Sequence, residues 1–328
     1  MGGPGDQPGR GRHPGARPGP APAASCRLSV CGPPSAPVCQ SAQRCVASWR
    51  TTPGEAADAS VARLVAVRHP RRLPARRTCP TPTLQAQMTR GTLDSAGLTA
   101  AYLQRIDALD RQGQGPALHA IIQRNPHALD EAQQLDAERR AGHLRGSLHG
   151  IPPVLKDNID ARPMANSAGS LAVADFHPPH DAILVQRLRQ ARAVILGKSN
   201  LSEWANFHSS KSSSGWSARS EQTRHPYVLD RNPCGSSAGT GVAVSANLAA
   251  AGIGTGTGTD GSIVCPAAVN GLVGLKPTVG LISRDGIIPI SASQDSAGPT
   301  TRSVADAATV LSVLAARDTA DPAAAAAP

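Results

Sequence analysis

Aromatic residues are almost missing from this chain: three Trp, two Tyr and two Phe among 328 residues. Any core must therefore be built from Ala, Val, Leu and Ile. No run of 18 apolar residues occurs, which excludes a membrane-spanning helix. No Cys-x-x-Cys pair occurs either. Cys26, Cys31, Cys39 and Cys45 are spaced by 5, 8 and 6, which does not suit a zinc site. The first twenty residues, MGGPGDQPGRGRHPGARPGP, lack the apolar centre of a signal peptide, so a cytoplasmic location with free thiols is expected. Histidine is missing from the whole stretch after His225.

The formal charge of +10 is unevenly placed. Residues 1–83 hold 12 Arg against 3 acids, whereas residues 84–328 hold 21 Lys/Arg against 20 acids. The basic arm is rich in Pro and Gly and has neither helical periodicity nor interleaved aromatics. We read it as a disordered extension, with no nucleic-acid or membrane partner. Order is expected over residues 84–318, and ADPAAAAAP at the end carries no fold signal.

From Leu84 to Arg145 the pattern is helical. Leu98, Ala101, Tyr102 and Ile106 share one face, as do Ala128, Ala132 and Leu135, and Asp94 or Ser95 is the cap. Asp136–Arg140 reads as a solvated face. At Gly150 the character changes. Ile151–Leu155 reads as a buried strand, Ala182–Ala191 as a helix and Ala193–Gly197 as another buried strand. Ser199–Trp204 reads as a capped helix start and residues 208–224 as a polar loop. Thr240–Ala251 suits a buried helix, Gly252–Thr255 a strand and Gly256–Gly261 a tight loop. Ala267–Gly274 fits helix or strand. Ser303–Ala316 is an amphipathic helix with Val304, Ala308, Leu311 and Leu314 on one side. Strand–helix alternation predicts an α/β fold with a mixed, mostly parallel sheet covered by helices.

The chemistry concentrates between Cys234 and Gly280, a stretch of small residues alternating with short apolar runs. Such backbone packs closely and leaves N–H groups free to meet a developing anion. Some 80 residues upstream, GIPPVLKDN places Lys156 after an apolar run. Taken singly, Lys156 reads as a solvated charge, Ser236 as a helix cap and Ser262 as a turn serine. Gly235–Gly239 also fits G-x-S-x-G with Ser237 as nucleophile, but that triad needs a histidine after the serine, and all ten precede it.

GIPPVLKDN, GSSAG, TDGSI and PAAVNGLVGLKPT together resemble the amidase signature family. LDRNPCGSSAG, NLSEWANFHSS and GSIVCPAAVNGLVGLKPTVGLISRDGIIPIS bring the likeness closest to its bacterial peptide amidases. The resemblance covers about Leu84 to Asp318. It implies Ser262 as nucleophile, Ser236 on a cis peptide as bridge, Lys156 as base, and the N–H groups of Thr259, Asp260 and Gly261 as oxyanion hole. The implied reaction is hydrolysis of a carboxamide, with a peptide C-terminal amide as the implied substrate, and with no metal or organic cofactor. Two other readings are a catalytically silent relative and the glutamine-hydrolysing subunit of an amidotransferase. Lysine works as a base only when uncharged, and Ile151, Val154 and Leu155 supply apolar surroundings that favour that form. Cys265 reads as a packed thiol, Asp157 and Asn158 as residues that fix local backbone, and Trp204 and Trp216 as core or pocket wall.

Four departures from the family pattern stand out. Ser236 and Ser262 are 26 apart, two more than expected, through an apparent Gly-Thr duplication in GTGTGT. This requires a bulged loop or a slid strand. Gly258 replaces an acid. Glycines expected at Arg192 and at Ser220-Glu221 are absent, so Arg192 must find an exit to solvent. The family fold also continues beyond residue 328, which implies that its C-terminal part is missing here.

Overall fold

The computed structural model describes residues 79–111, 115–257 and 261–325. The disordered arm expected over residues 1–83 lies outside them as far as residue 78. Over its last residues it is corrected, because helix α1 at Thr81–Thr89 starts ahead of Leu84. Helix α2 spans Ser95–Leu109, capped by the Asp94 carboxylate, which accepts from Gly97 N at 2.7 Å. It buries Leu98, Ala101, Tyr102 and Ile106 as the periodicity predicts. After strand β1 (Ile121–Arg124), helix α3 (Ala128–Arg140) packs on α2 through Ala128, Ala132 and Leu135. Asp136 departs from the solvated face expected of it. It is 5 % exposed and accepts from Ser95 N at 2.8 Å and Ala96 N at 2.9 Å. The first N–H groups of α2 have no partner within the helix, and this carboxylate supplies one.

Strand β2 (Pro153–Lys156) is buried along its whole length. Helix α4 (Ile183–Gln190) buries Leu184, Val185 and Leu188. Arg192 then turns the chain at φ +61°, the conformation that a glycine would favour, and reaches out to Glu138 at 3.2 Å. Residues 193–196 are buried, and Val194 N and Leu196 N donate to Ile151 O and Pro153 O. The paired strand β3 itself is Gly197–Ser199, later than predicted. The helix start expected at Ser199–Trp204 is not formed. Trp204 and Ala205 have left-handed backbone, and the local turn at Glu203–Asn206 is of the tighter 3-10 type. The polar loop contains a small hairpin, β4 (Trp216–Ser217) with β5 (Glu221–Gln222), where Glu221 has φ +58° in place of an expected glycine.

Helix α5 (Ala238–Ser245) is buried over its first seven residues. Strand β6 (Ala251–Thr257) follows, then helix α6 (Val264–Val269), β7 (Val273–Gly274), β8 (Asp295–Thr301) and helix α7 (Val304–Leu314). The six-stranded sheet has the order β1-β3-β2-β6-β8-β7. Strands β3, β2 and β6 are parallel neighbours, while β1 and β8 oppose them and β7 opposes β8, so four of six strands run one way. The sheet is thus mixed and mostly parallel. Strand β6 pairs with β8 from Gly252↔Thr300 to Thr257↔Asp295 without a register break, so no bulge interrupts β6 as far as Thr257, and the rest of GTGTGT lies outside the described residues.

Helix α7 is rotated from its expected setting. Asp306, Ala307, Val310 and Leu314 face inward, while Val304 is 72 % exposed. The Asp306 carboxylate explains the rotation: it accepts from Thr81 N at 2.6 Å and Ser303 Oγ at 2.7 Å. The stretch 319–325, expected to be unstructured, is docked. Asp321 meets Arg284 through Nη2–Oδ1 at 2.5 Å and Nε–Oδ2 at 2.9 Å, and Ala324 is fully buried. No helix among the described residues is long and apolar enough to cross a membrane.

Candidate active site

Lys156 is the last residue of β2, which lies between two parallel neighbours, so its side chain has no route to water and is 0 % exposed. The amine is met by Ser236 Oγ at 2.7 Å and donates to Thr255 O at 3.0 Å. Burial pushes the Lys156 pKa down to about 7, against a smaller upward pull from the Asp295 charge. Near neutral pH a large share of this amine is uncharged. The site therefore lies at the carboxyl ends of β2 and β6, where open α/β sheets place their ligands.

Ser236 follows a cis peptide bond from Gly235 and precedes α5. Ser237, the rival nucleophile, is fully buried; its Oγ donates to Thr255 O at 3.1 Å and accepts from Thr255 N at 3.3 Å. Its N–H donates to Ser262 O at 3.1 Å, which stitches the two serine segments together through backbone. Ser262 Oγ makes no hydrogen bond to Ser236 or to any other described residue. Lys156 and Ser236 are in direct contact, and Ser262 joins them only through main chain. Thr259 and Asp260 lie outside the described residues. Gly261 is described, with φ +101°, and its carbonyl accepts from Cys265 N at 2.7 Å.

Ser262 lines a cavity of about 590 Å³ with Gly256, Lys276, Val279, Ser293 and Gln294. A second cavity of about 350 Å³ shares Gly256 and is walled by Asn158, Thr255, Ile288 and Asp295. Glycine spacing lets these segments close up. A Cβ on Gly254 would sit 2.9 Å from Ser237 Oγ, and one on Gly239 would meet the backbone of Ala120 and Asn200 at 2.4–2.6 Å.

Asp157 and Asn158 hold the local frame, as expected. The Asp157 carboxylate accepts from Ser167 Oγ and from Gly169 N at 3.2 Å, and lies 3.4 Å from the buried Lys198 amine. Asn158 Nδ2 donates to Thr255 Oγ1 at 3.0 Å. Cys265 is not a free packed thiol: it is joined to Cys234 in a disulfide. Sequence reasoning missed that pairing because the two are 31 residues apart and show no spacing signature. It also missed Thr255, whose functional atom is a main-chain oxygen. The signal available was the alternation in GTGTGT, which puts Thr255 on the opposite side of β6 from its glycines. Among the described residues no cluster of three His, Cys, Asp or Glu could hold a metal ion.

The Amidase family model matches residues 97–328. The chain belongs to the amidase family. It is 66 % identical to the peptide amidase of Stenotrophomonas maltophilia, whose crystal structure superposes with a TM-score of 0.73 over 76 % of this chain and 50 % of that one. It is 46 % identical to a probable amidase of Arabidopsis thaliana over 70 % of this chain and 44 % of the relative. It is 40 % identical to a glutamyl-tRNA(Gln) amidotransferase subunit of Moorella thermoacetica over 71 % of this chain and 46 % of that relative. The chain thus spans about half, or less, of the length of these family members.

Proposed function

We propose that this amidase-family chain hydrolyses a carboxamide to a carboxylate and ammonia through an acyl-enzyme at Ser262, with peptide C-terminal amides as the preferred class. The single observation that carries the reading is the fully buried Lys156 amine, 2.7 Å from Ser236 Oγ and titrating near 7. A serine hydroxyl needs an adjacent base to attack an amide, and a desolvated amine meets that need. Because Thr255 O accepts one N–H, the lone pair of neutral Lys156 is left for the Ser236 hydroxyl proton. Ser236 in turn takes the proton of Ser262 as its Oγ bonds to the amide carbon. The carbonyl becomes an oxyanion stabilised by the backbone N–H groups of Thr259, Asp260 and Gly261. Collapse breaks the C–N bond, and the relay returns the proton to the departing ammonia. Water then repeats the sequence on the acyl ester and frees the acid. The contact from Ser236 to Ser262 closes when substrate fills the cavity, since catalytic hydrogen bonds commonly tighten only then. Preference for peptide amides is supported by the 66 % identity to a peptide amidase, against 40 % to the amidotransferase relative.

A fluorophosphonate serine probe tests the reading. Adduct mapped to Ser262, and lost in both Ser262→Ala and Lys156→Ala, supports it. A folded, soluble chain that takes no label is the silent relative instead.

A further inference from the structure

The candidate site is bracketed by the one disulfide among the described residues. Cys234 lies two residues before Ser236, and Cys265 lies three residues after Ser262. Their Cα atoms are 6.0 Å apart, and both residues are half-buried, within reach of a small reductant. Each cysteine is held stiffly to its own segment. Cys234 N donates to Asn232 Oδ1 at 2.8 Å, and Cys265 N donates to Gly261 O at 2.7 Å in the turn leading into α6. Two hydrogen bonds join the same segments without covalency: Ser237 N to Ser262 O at 3.1 Å, and Asn270 Nδ2 to Pro233 O at 3.1 Å.

The two serines differ in how they are fixed. Ser236 is 1 % exposed and has the Lys156 amine against its hydroxyl. Ser262 is half-buried, and its hydroxyl has no partner among the described residues. Among the described residues its place is therefore set through main chain, and the one covalent cross-link tying that main chain to the Ser236 segment is the Cys234–Cys265 bond. We infer that the Cys234–Cys265 disulfide is a positioning element that holds Ser262 against Ser236, so that a dithiol reductant lowers turnover by releasing it. The chemistry balances: the dithiol gives two electrons and two protons, the S–S bond becomes two thiols, and the reductant closes to its own disulfide. The turnover part of this inference rests on the amidase reading; the tie between the two segments does not.

The experiment uses the full chain under native conditions, with and without dithiothreitol followed by alkylation. Three quantities are measured: disulfide-linked peptides by mass spectrometry, backbone hydrogen exchange, and kcat and KM on a peptide C-terminal amide. The expected results are a linked peptide containing Cys234 and Cys265, and, on reduction, faster exchange in residues 233–238 and 261–266 while β2 and α2 keep their protection. Turnover falls about tenfold or more, because a misplacement of about 1 Å costs roughly a hundredfold. KM changes by less than kcat falls, since Gly256, Lys276, Val279, Ser293 and Gln294 of the cavity wall lie outside the released segments. Reoxidation restores kcat in the wild type. The double variant C234S/C265S keeps the other five cysteines; it starts at the reduced level of turnover and does not respond to dithiothreitol. Absence of the linked peptide, unchanged exchange in the two segments, or unchanged kcat overturns the inference. If the oxidised chain neither turns over nor takes the serine probe, the amidase reading has failed, and the exchange result alone decides whether the disulfide ties the segments.

Discussion

With Lys156 as the proposed base, its titration sets the pH dependence of turnover. Its pKa of about 7 predicts that kcat/KM rises roughly tenfold per pH unit on the acid side and levels off above about 7, as a pH–rate profile will show. The same shift governs stability. The unfolded amine keeps its proton up to about 10.5 and the folded one only to about 7, so between these values the unfolded chain binds more protons and stability rises with pH. Lys156→Met removes that dependence. Its stability relative to wild type is greatest below pH 7 and declines toward pH 10.5, by on the order of 5 kcal/mol in urea unfolding between the two ends. At this scale the sequence was legible where a motif fixes side-chain order: Lys156 and Ser236 meet as their motifs imply. It was silent on Thr255, because any residue type carries a carbonyl. It was silent on the disulfide too, because pairing depends on how α6 folds back beside the start of α5.

Helices and strands were read best where apolar period and cap agreed, as in α2 with its Asp94 cap and its buried Leu98–Ile106 face. Two of the errors share one cause: a buried carboxylate overrode the expected facing. Asp306 turns α7 so that Val304 faces out, and Asp136 lies under the start of α2. Asp136→Ala removes the acceptor for two N–H groups, leaving them buried or half-buried, and should destabilise the fold by about 2 kcal/mol in urea unfolding. Turnover per folded molecule should be unchanged, because the cap lies outside the site. Arg192 and Glu221 show a different limit. Each takes the left-handed backbone at a place where glycine was expected, so the turn survives the substitution and Arg192 meets solvent beside Glu138. Strand β6 keeps continuous pairing with β8 as far as Thr257, and two added residues leave the facing of every side chain unchanged.

Across the described residues, the mixed, mostly parallel character of the sheet followed from alternation of strand and helix, whereas the docking of residues 319–325 did not. Five consecutive alanines carry no pattern, and what fixes the stretch is the meeting of Arg284 with Asp321. That contact holds the Asp321 carboxyl down to about 2, chiefly through its hydrogen bonds with the Arg284 side chain. The unfolded carboxyl titrates near 3.8, so the stabilisation is whole above that pH and fades as pH falls toward 2. Arg284→Ala leaves Asp321 without its cation, at a cost of about 3 kcal/mol, and should free the stretch. Limited trypsin digestion should then cut after Arg317 faster than in wild type, with little change elsewhere. One atom in the centre of the fold lies beyond experiments of this kind. Thr255 O receives both the Lys156 amine and the Ser237 hydroxyl, and every codon at position 255 would still encode it. No side-chain substitution at position 255 deletes this acceptor from the amine's mooring, whereas chemical replacement of the following amide by an ester would weaken it.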